Sequence, residues 1–286
     1  MSLKKFLQVG LVPDLCIGVI VKFKKLNLKK TKCKPGLNVA LLSAFLLLLF
    51  AFQQKQKITV YLIGDSTMAD KEVIAYPETG WGMPFHYFFD STITVDNRAK
   101  NGRSTRTFIE EGRWQPVAEN LNEGDYVLIQ FGHNDEVPTK RSYTTPEQFT
   151  ANLIKFVTDS RSKNAIPVLI TPVARRKFDS TGQVEETHAV YTQLVKDVAK
   201  KYDVPLIDLD KESQELIQKF GPDDSKYLHN YLDPGENPHY PEGHADDTHF
   251  SELGARRMAE IVLHDIEKLN LGLASHIRVV HQKEKK

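Results

Sequence analysis

The sequence predicts a three-layer α/β/α sandwich in which helices cover both faces of a mostly parallel, five-stranded sheet. From Ile58 onward, short apolar segments alternate with longer segments of helical periodicity, a pattern typical of α/β proteins. Two apolar segments, residues 126–129 and 167–170, are nearly uninterrupted, as expected for strands that are buried on both faces. These observations favour an α/β domain over residues 57–286.

The individual elements follow from local patterns in chain order. Five segments have the length and apolar character of strands: residues 58–63, 92–95, 126–131, 167–171 and 204–208. Four segments have helical periodicity: residues 146–163, 185–202, 211–220 and 251–269. Thr145 and Gln148 have the spacing of a capping box, and Ser251 precedes the last helix as a favourable N-cap. Residues 221–247 lack periodicity and are predicted to form a functional loop.

Charge is distributed unevenly along the chain. Residues 1–36 hold nine lysines and one aspartate, so the net charge of +1 for the whole chain leaves −7 for the remainder. An acidic body argues against a nucleic-acid-binding groove, because such grooves are basic. Nucleic acid is therefore not an expected partner.

The basic N-terminal segment precedes an apolar stretch, residues 37–52, that contains no charged residue. Its 16 residues are fewer than the ~20 of a typical membrane span and close to the length of a signal-peptide core. Residues 1–56 are therefore predicted to be a leader with a signal peptide, or alternatively a membrane anchor. We expect export to the periplasm or medium, with any membrane contact limited to this segment. Cys16 and Cys33 both precede it, so no disulfide is expected in the body.

Two segments far apart in the chain contain the groups that an acyl-transfer site needs. Ser66 lies in a Gly-Asp-Ser-Thr sequence directly after the first predicted strand and is a candidate nucleophile. A serine hydroxyl is weakly nucleophilic at neutral pH and requires a general base, which a carboxylate orients. His249 and Asp246, three residues apart, can supply these two groups, and Asp247 is the alternative carboxylate. The sequence therefore predicts a serine esterase.

Two further polar segments follow predicted strands. Gly102 lies in a loop after the second strand, and Asn134 follows the third. The carboxyl ends of parallel strands meet at one edge of a sheet, where ligands bind in open α/β folds. We therefore expect both segments to lie at the same edge as Ser66, where they can donate hydrogen bonds to a tetrahedral oxyanion.

These segments resemble the SGNH subgroup of the GDSL hydrolases, whose four name-giving residues correspond here to Ser66, Gly102, Asn134 and His249. The resemblance extends in order and spacing over residues 57–269, and it implies a flavodoxin-like three-layer fold. Thr67 stands where the GDSL pattern has a leucine, a position that the SGNH set does not require.

The same resemblance assigns roles to the candidate residues. It implies a catalytic triad of Ser66, His249 and Asp246. It also implies an oxyanion hole formed by the backbone amides of Ser66 and Gly102 and by the side-chain amide of Asn134. No cofactor and no metal are expected in such a site.

Within this subgroup the chain looks most like rhamnogalacturonan acetylesterases. Four segments carry the similarity: residues 64–67, 77–82, 97–104 and 246–250. The resemblance implies removal of acetyl groups from an acetylated polysaccharide or oligosaccharide, with pectin rhamnogalacturonan as the expected substrate. Trp81 lies in the second segment and is either a platform for sugar stacking or a partly buried core residue.

Three alternatives belong to other functional classes. A metal-dependent site is suggested by four histidines within residues 229–249, although their spacing matches no recognised metal motif. A lipase, lysophospholipase or thioesterase would need an apolar cleft, whereas the predicted loops at 70–79 and 221–247 are polar. A non-catalytic carbohydrate-binding protein would be signalled by loss of a triad residue, and all three are present.

Overall fold

The structure is a computed structural model that describes residues 57–278, so the predicted leader, residues 1–56, lies outside the described residues. Five strands form one sheet in the order β2-β1-β3-β4-β5, and every neighbouring pair is parallel. The strands are β1 (Ile58–Gly64), β2 (Ile93–Asn97), β3 (Tyr126–Gln130), β4 (Ile166–Ile170) and β5 (Leu206–Ile207).

Helices cover both faces of this sheet. The α-helices are α1 (Gly82–Phe85), α2 (Thr105–Glu110), α3 (Trp114–Asn120), α4 (Pro146–Ser162), α5 (Ala189–Tyr202), α6 (Leu209–Asp224) and α7 (Glu252–Lys268). Short 3₁₀ helices are Val73–Ala75, His86–Phe88, Ser225–Leu228 and Gly272–His276. The predicted α/β/α sandwich with a parallel five-stranded sheet is confirmed. Within residues 57–278, no helix is both long and apolar enough to cross a membrane.

The core consists of two hydrophobic clusters, one on each face of the sheet. Successive side chains of a strand point to opposite faces, so Val60 and Leu62 join one cluster while Tyr61 and Ile63 join the other. The first cluster packs the sheet against α1, α6 and α7, and the second packs it against α2, α3, α4 and α5. Burial on both faces explains why the central strands are almost wholly apolar.

Several element boundaries differ from the sequence prediction. The predicted strand 204–208 is reduced to the two residues of β5, since Pro205 has no N–H group to extend the ladder. The predicted helix 185–202 begins later, at Ala189. The helix predicted at 211–220 extends over α6, interrupted at Gly221, where φ is +72°. The sequence prediction missed α2 and α3, because helices of fewer than two turns leave little periodicity.

The strand order determines where a ligand can bind. The chain leaves β1 for β2 on one side and later returns for β3 on the other side of β1, so β1 and β3 flank the switch point of the sheet. Gly64 at the end of β1 is level with Gln130 at the end of β3. Helices diverge above such a switch point and leave a crevice there. Ser66 and Asn134 follow these two strands directly and therefore lie at the crevice.

Candidate active site

Ser66 lies in a tight turn at the carboxyl end of β1. The turn is closed by the backbone amides of Met68 and Ala69, which both donate to the carbonyl oxygen of Asp65, at 3.3 and 3.0 Å. The Asp65 side chain also accepts from Thr67, at 3.0 Å from its backbone N and 2.9 Å from its hydroxyl. Ser66 itself is only 8% exposed. The sequence Gly-Asp-Ser-Thr therefore encodes a rigid turn whose serine stands at the crevice.

A buried polar chain supports this turn from below. The Gln130 side-chain amide donates to the Thr67 hydroxyl (2.7 Å), and the Trp81 indole N–H donates to the Gln130 carbonyl oxygen (2.6 Å). All three side chains are buried, so these bonds lie in a medium of low dielectric, where they are strong. Sequence reasoning missed Gln130, although a single polar residue at the end of an apolar strand was a signal for it.

The expected sugar-stacking role of Trp81 is wrong. Its side chain is 0% exposed, its ring packs edge-on against Phe85 at a centroid distance of 5.4 Å, and its N–H group is used by Gln130. A fully buried indole has no free face for a pyranose. Trp81 instead belongs to the hydrophobic core and holds the base of the serine turn.

His249 and Asp246 meet Ser66 across 183 residues of sequence. The His249 Nε2 atom lies 2.9 Å from the Ser66 Oγ atom, and its Nδ1 atom lies 2.7 Å from Asp246 Oδ2. The other Asp246 oxygen accepts the backbone amides of Thr248 (2.7 Å) and His249 (3.0 Å). The three predicted triad residues are therefore joined by continuous hydrogen bonds.

Hydrogen bonding determines the ionisation of Asp246. Burial alone would raise its pKa, but the bonds from His249 and from the two backbone amides outweigh burial and hold the pKa well below its ordinary value. Asp246 is therefore a carboxylate at neutral pH and can only accept. The proton of the His249 ring must then lie on Nδ1, which leaves Nε2 free to accept the Ser66 proton.

The neighbouring carboxylate, Asp247, is engaged elsewhere. Its Oδ1 atom lies 2.7 Å from Arg176 Nη1 and accepts the hydroxyl of Tyr231 at 2.6 Å. The backbone of Arg176 also donates to the carbonyl oxygen of Asp247, at 2.8 Å. Asp246 is therefore the carboxylate that contacts His249, and Asp247 anchors the segment to the loop after β4.

The loop that carries Gly102 lies beside the serine turn. Two backbone amides attach the residues after β2 to the end of β1: Arg98 donates to Leu62 O (2.8 Å), and Lys100 donates to Gly64 O (3.0 Å). Gly102 has a φ of +76°, a left-handed conformation in which a side chain would be strained.

Asn134 is joined to the same loop from the opposite side. Its side-chain amide donates to the Arg103 carbonyl oxygen at 3.2 Å. Gly102 and Asn134 line one cavity of about 610 Å³. The fold therefore brings both predicted oxyanion donors to the edge of the sheet where Ser66 lies.

Lys71 is a residue of this site that sequence reasoning missed. Its Nζ atom donates to the Ser66 carbonyl oxygen (2.5 Å) and to Asn101 Oδ1 (3.0 Å), and it pairs with Glu78 at 2.6 Å. Only 2% of its side chain is exposed, and burial lowers its pKa while the Glu78 carboxylate opposes that effect. Lys71 thus ties the serine turn to the residue before Gly102. Nothing in the local sequence distinguishes it from a surface lysine.

The four histidines within residues 229–249 do not form a metal site, although His244 Nε2 lies 3.7 Å from the same Asp246 oxygen that contacts His249. His229 and His239 point their Nδ1 atoms at backbone carbonyl oxygens, those of Ser225 (3.0 Å) and Tyr76 (3.1 Å). Across residues 57–278, no three His, Cys, Asp or Glu side chains lie close enough together to hold a metal ion. Only His249 contacts Ser66 among these histidines.

Comparisons with known proteins identify the family of this chain. The family model described as the GDSL-like lipase/acylhydrolase family matches residues 62–257. The chain is 45% identical to rhamnogalacturonan acetylesterase RhgT of Bacillus subtilis over 78% of this chain and 95% of that protein. It is 34% identical to the probable rhamnogalacturonan acetylesterase YesY of the same organism, over 76% of this chain and 96% of the relative.

A solved structure shows the same fold. The crystal structure of the protein YXIM from Bacillus subtilis superposes with a TM-score of 0.66 at 24% identity, over 76% of this chain and 58% of that one. The family match runs from the end of β1, at residue 62, to the start of α7, at residue 257, and it includes Ser66, Asp246 and His249. This chain belongs to the GDSL-like lipase/acylhydrolase family.

Proposed function

We propose that this protein is a serine esterase that removes acetyl groups from pectin rhamnogalacturonan through an acyl-enzyme. The observation that carries the proposal is the unbroken hydrogen-bonded series from Ser66 Oγ to His249 (2.9 Å) and from His249 to Asp246 (2.7 Å). The substrate is supported by the 45% identity to a rhamnogalacturonan acetylesterase over nearly the whole length of that relative.

The geometry suits the following mechanism. Ser66 Oγ attacks the acetyl carbonyl carbon while His249 Nε2 takes the hydroxyl proton, and Asp246 stabilises the imidazolium that forms. The tetrahedral oxyanion is held by the amides of Ser66 and Gly102 and by the Asn134 side chain. Collapse of this intermediate breaks the bond to the sugar oxygen, which receives the proton from His249.

The second half of the reaction repeats the first with water. His249 takes a proton from a water molecule, whose oxygen attacks the acetyl group on Ser66. The resulting intermediate releases acetate, and the proton returns from His249 to Ser66 Oγ. The residues of the triad thereby recover their starting protonation, and no external cofactor enters the balance.

A short acyl group suits this site better than a long acyl chain. The cavity beside Gly102 and Asn134 is bordered by Arg103, Lys140 and Arg141. A fatty-acyl chain requires an apolar cleft, because burying its methylene groups provides most of its binding energy. A polar cavity instead favours acetyl as the acyl group transferred to Ser66 and a carbohydrate as the alcohol that leaves.

Substitution of Ser66 by alanine tests the proposal. We expect Ser66→Ala to fold normally and to lose roughly 1,000-fold or more in turnover of p-nitrophenyl acetate, since the nucleophile is gone. Ser180→Ala is a matched control, because Ser180 is exposed and belongs neither to the triad nor to the proposed oxyanion hole. Acetate release from acetylated rhamnogalacturonan, with acetylated xylan as the competing polymer, tests the substrate. Retained turnover in Ser66→Ala would refute the mechanism, and a preference for xylan would refute the substrate.

We also propose that the enzyme acts outside the cytoplasm. The support is the polymeric nature of the proposed substrate, together with the uncharged stretch 37–52 behind a lysine-rich segment. Fractionation of the producing cells, followed by N-terminal sequencing, distinguishes a cleaved leader from a retained anchor. Esterase activity confined to the cytoplasmic fraction would contradict export.

A further inference from the structure

A groove adjoins the two proposed oxyanion donors Gly102 and Asn134. It has a volume of about 610 Å³ and is lined by Gly102 and Asn134 together with charged side chains at both ends of α2 and on the loop after β3. The acidic lining residues are Glu110 and Glu111, and the basic ones are Arg103, Lys140 and Arg141. Because Gly102 and Asn134 are the proposed oxyanion donors, the groove begins beside the place where the proposed function puts the ester.

The two carboxylates of the groove are already neutralised by the protein. Glu111 Oε2 lies 3.0 Å from Arg103 Nε and 2.6 Å from Arg113 Nε. These two guanidinium groups lower the pKa of Glu111, so it stays ionised and paired. Glu110 Oε2 lies 2.7 Å from Arg106 Nη1. The acidic side chains therefore leave no uncompensated negative charge in the groove.

Unlike the two carboxylates, Lys140 and Arg141 are not paired with a charge of opposite sign among the described residues. Both side chains are exposed, and neither forms an ion pair with any carboxylate within residues 57–278. They follow each other on the loop that forms one wall of the groove. The groove thus carries two positive charges without partners, although the chain after residue 36 has a net charge of −7.

The loop that carries these two cations is fixed to the oxyanion region. Arg106 donates through Nε to the Tyr143 carbonyl oxygen (3.1 Å) and through Nη2 to the Arg141 carbonyl oxygen. The hydroxyl of Ser142 donates to the Asn134 carbonyl oxygen at 3.1 Å. The backbone that presents Lys140 and Arg141 is therefore held in place before substrate binds, which lowers the entropic cost of binding.

We infer that this groove is a carboxylate-binding subsite, in which Lys140 and Arg141 bind uronic-acid residues next to the acetylated sugar. The position of the ester over Ser66 rests on the proposed function. The charge contrast gives the subsite its selectivity: an acidic polysaccharide is repelled by most of the surface and attracted at this groove. Neutral polysaccharides gain nothing from the two cations.

The test uses an unreactive ligand, so that it does not depend on the identity of the natural ester. Trigalacturonate without acetyl groups competes with p-nitrophenyl acetate, and its inhibition constant is measured for the wild type and for Lys140→Gln/Arg141→Gln. Each exposed ion pair contributes modestly, so we expect the inhibition constant to rise about fivefold to tenfold in the double variant. We also expect salt to weaken inhibition of the wild type much more than that of the variant.

The controls separate local recognition from net charge and from misfolding. Lys163→Gln/Lys200→Gln removes the same charge from the opposite edge of the sheet, where α4 and α5 end. Trigalacturonate should inhibit this variant with the same inhibition constant as the wild type. Lys140→Arg/Arg141→Lys keeps both charges and should retain inhibition. Xylotriose, a neutral trisaccharide, should not discriminate between wild type and variants.

Each outcome decides the inference. Equal inhibition constants for the wild type and Lys140→Gln/Arg141→Gln, or no inhibition of the wild type by trigalacturonate, would overturn it. An inhibition constant that rises in Lys140→Gln/Arg141→Gln supports the subsite even if the wild type releases no acetate from acetylated rhamnogalacturonan. That combination would instead refute the proposed substrate, so the two failures are distinguishable.

Discussion

Single residues of the site are specialised by their hydrogen bonds. Asp246 uses one oxygen for two backbone amides and the other for the His249 ring, which fixes both its ionisation and the tautomer of the histidine. Asp247, one residue away, pairs with Arg176. Adjacent residues of the same type thus take different roles, because the backbone turn aims their side chains at different partners.

Asn134 is the residue through which the proposed oxyanion hole can be tested. We expect Asn134→Ala to lower turnover of p-nitrophenyl acetate by on the order of 100-fold, because a donor to the developing oxyanion is lost. The Michaelis constant should change little, since the bond forms mainly in the transition state. Thermal unfolding checks that the variant is folded. A loss of only about twofold would remove Asn134 from the hole.

Asp135, next to Asn134, has a different character. Its carboxylate accepts the backbone amide (2.9 Å) and the hydroxyl (2.6 Å) of Thr105 at the start of α2. Burial outweighs these bonds and raises the pKa of Asp135 to about 7. The folded protein therefore holds this proton at a pH where the unfolded chain, with a pKa of 3.8, has released it.

This shift has a consequence for stability. Between pH 4 and about 7 the folded state binds more protons at Asp135 than the unfolded state does. The contribution of Asp135 to the free energy of unfolding therefore falls as the pH rises through this range. Asp135→Asn removes the titration and still offers an oxygen to Thr105. We expect the free energy of unfolding of the variant, minus that of the wild type, to increase as the pH rises from 4 to about 7. Urea unfolding at several pH values measures this difference. A constant difference would contradict the assignment.

At the scale of elements, α7 positions the proposed base. Ser251 caps α7 by accepting the Gly254 amide at 3.1 Å, and His249 lies two residues before this cap. Gly254 packs directly on the backbone of Leu228, where a Cβ atom would lie 1.7 Å from the carbonyl oxygen. The first turn of α7 is thus seated on rigid backbone, which fixes the segment that carries His249.

Substitution of Gly254 tests this coupling. We expect Gly254→Ala to force α7 away from Leu228, at a cost of about 1–3 kcal/mol in the free energy of unfolding, and to lower esterase turnover. Leu253→Ala is the neighbouring control on the same turn. Leu253 is 42% exposed, so its replacement should stay within about 0.5 kcal/mol. Wild-type stability in Gly254→Ala would show that the contact is not rigid.

At the scale of the whole molecule, the described domain contains its own core. Both hydrophobic clusters are built from residues between Ile58 and Ile277, on either side of one sheet. We therefore expect a chain beginning at Lys55 to unfold cooperatively and to keep the wild-type kcat/KM for p-nitrophenyl acetate. Circular dichroism during heating and an esterase assay measure both. A soluble truncated chain without a cooperative transition would contradict the independence of the domain.

The strands and long helices could be predicted because local sequence encodes them. Each of the five strands begins and ends within two residues of its predicted apolar segment, and the capping box of α4 forms at Thr145 and Gln148 as expected. The short helices α2 and α3 could not be predicted in this way. Their positions depend on packing under the sheet, where Phe108 and Trp114 enter the second cluster.

The sequence by itself determined the α/β fold, the edge of the sheet that carries the site, and the choice of Ser66 and His249 as candidate nucleophile and base, whereas the structure showed that Asp246, and not Asp247, contacts His249. Hydrophobic periodicity and short motifs are local properties, so they can be recognised in the sequence without knowledge of the fold. Only the tertiary structure decided that Trp81 is buried and that Lys71 bridges two loops. The reason is physical: burial and charge pairing depend on which distant segments the fold brings into contact.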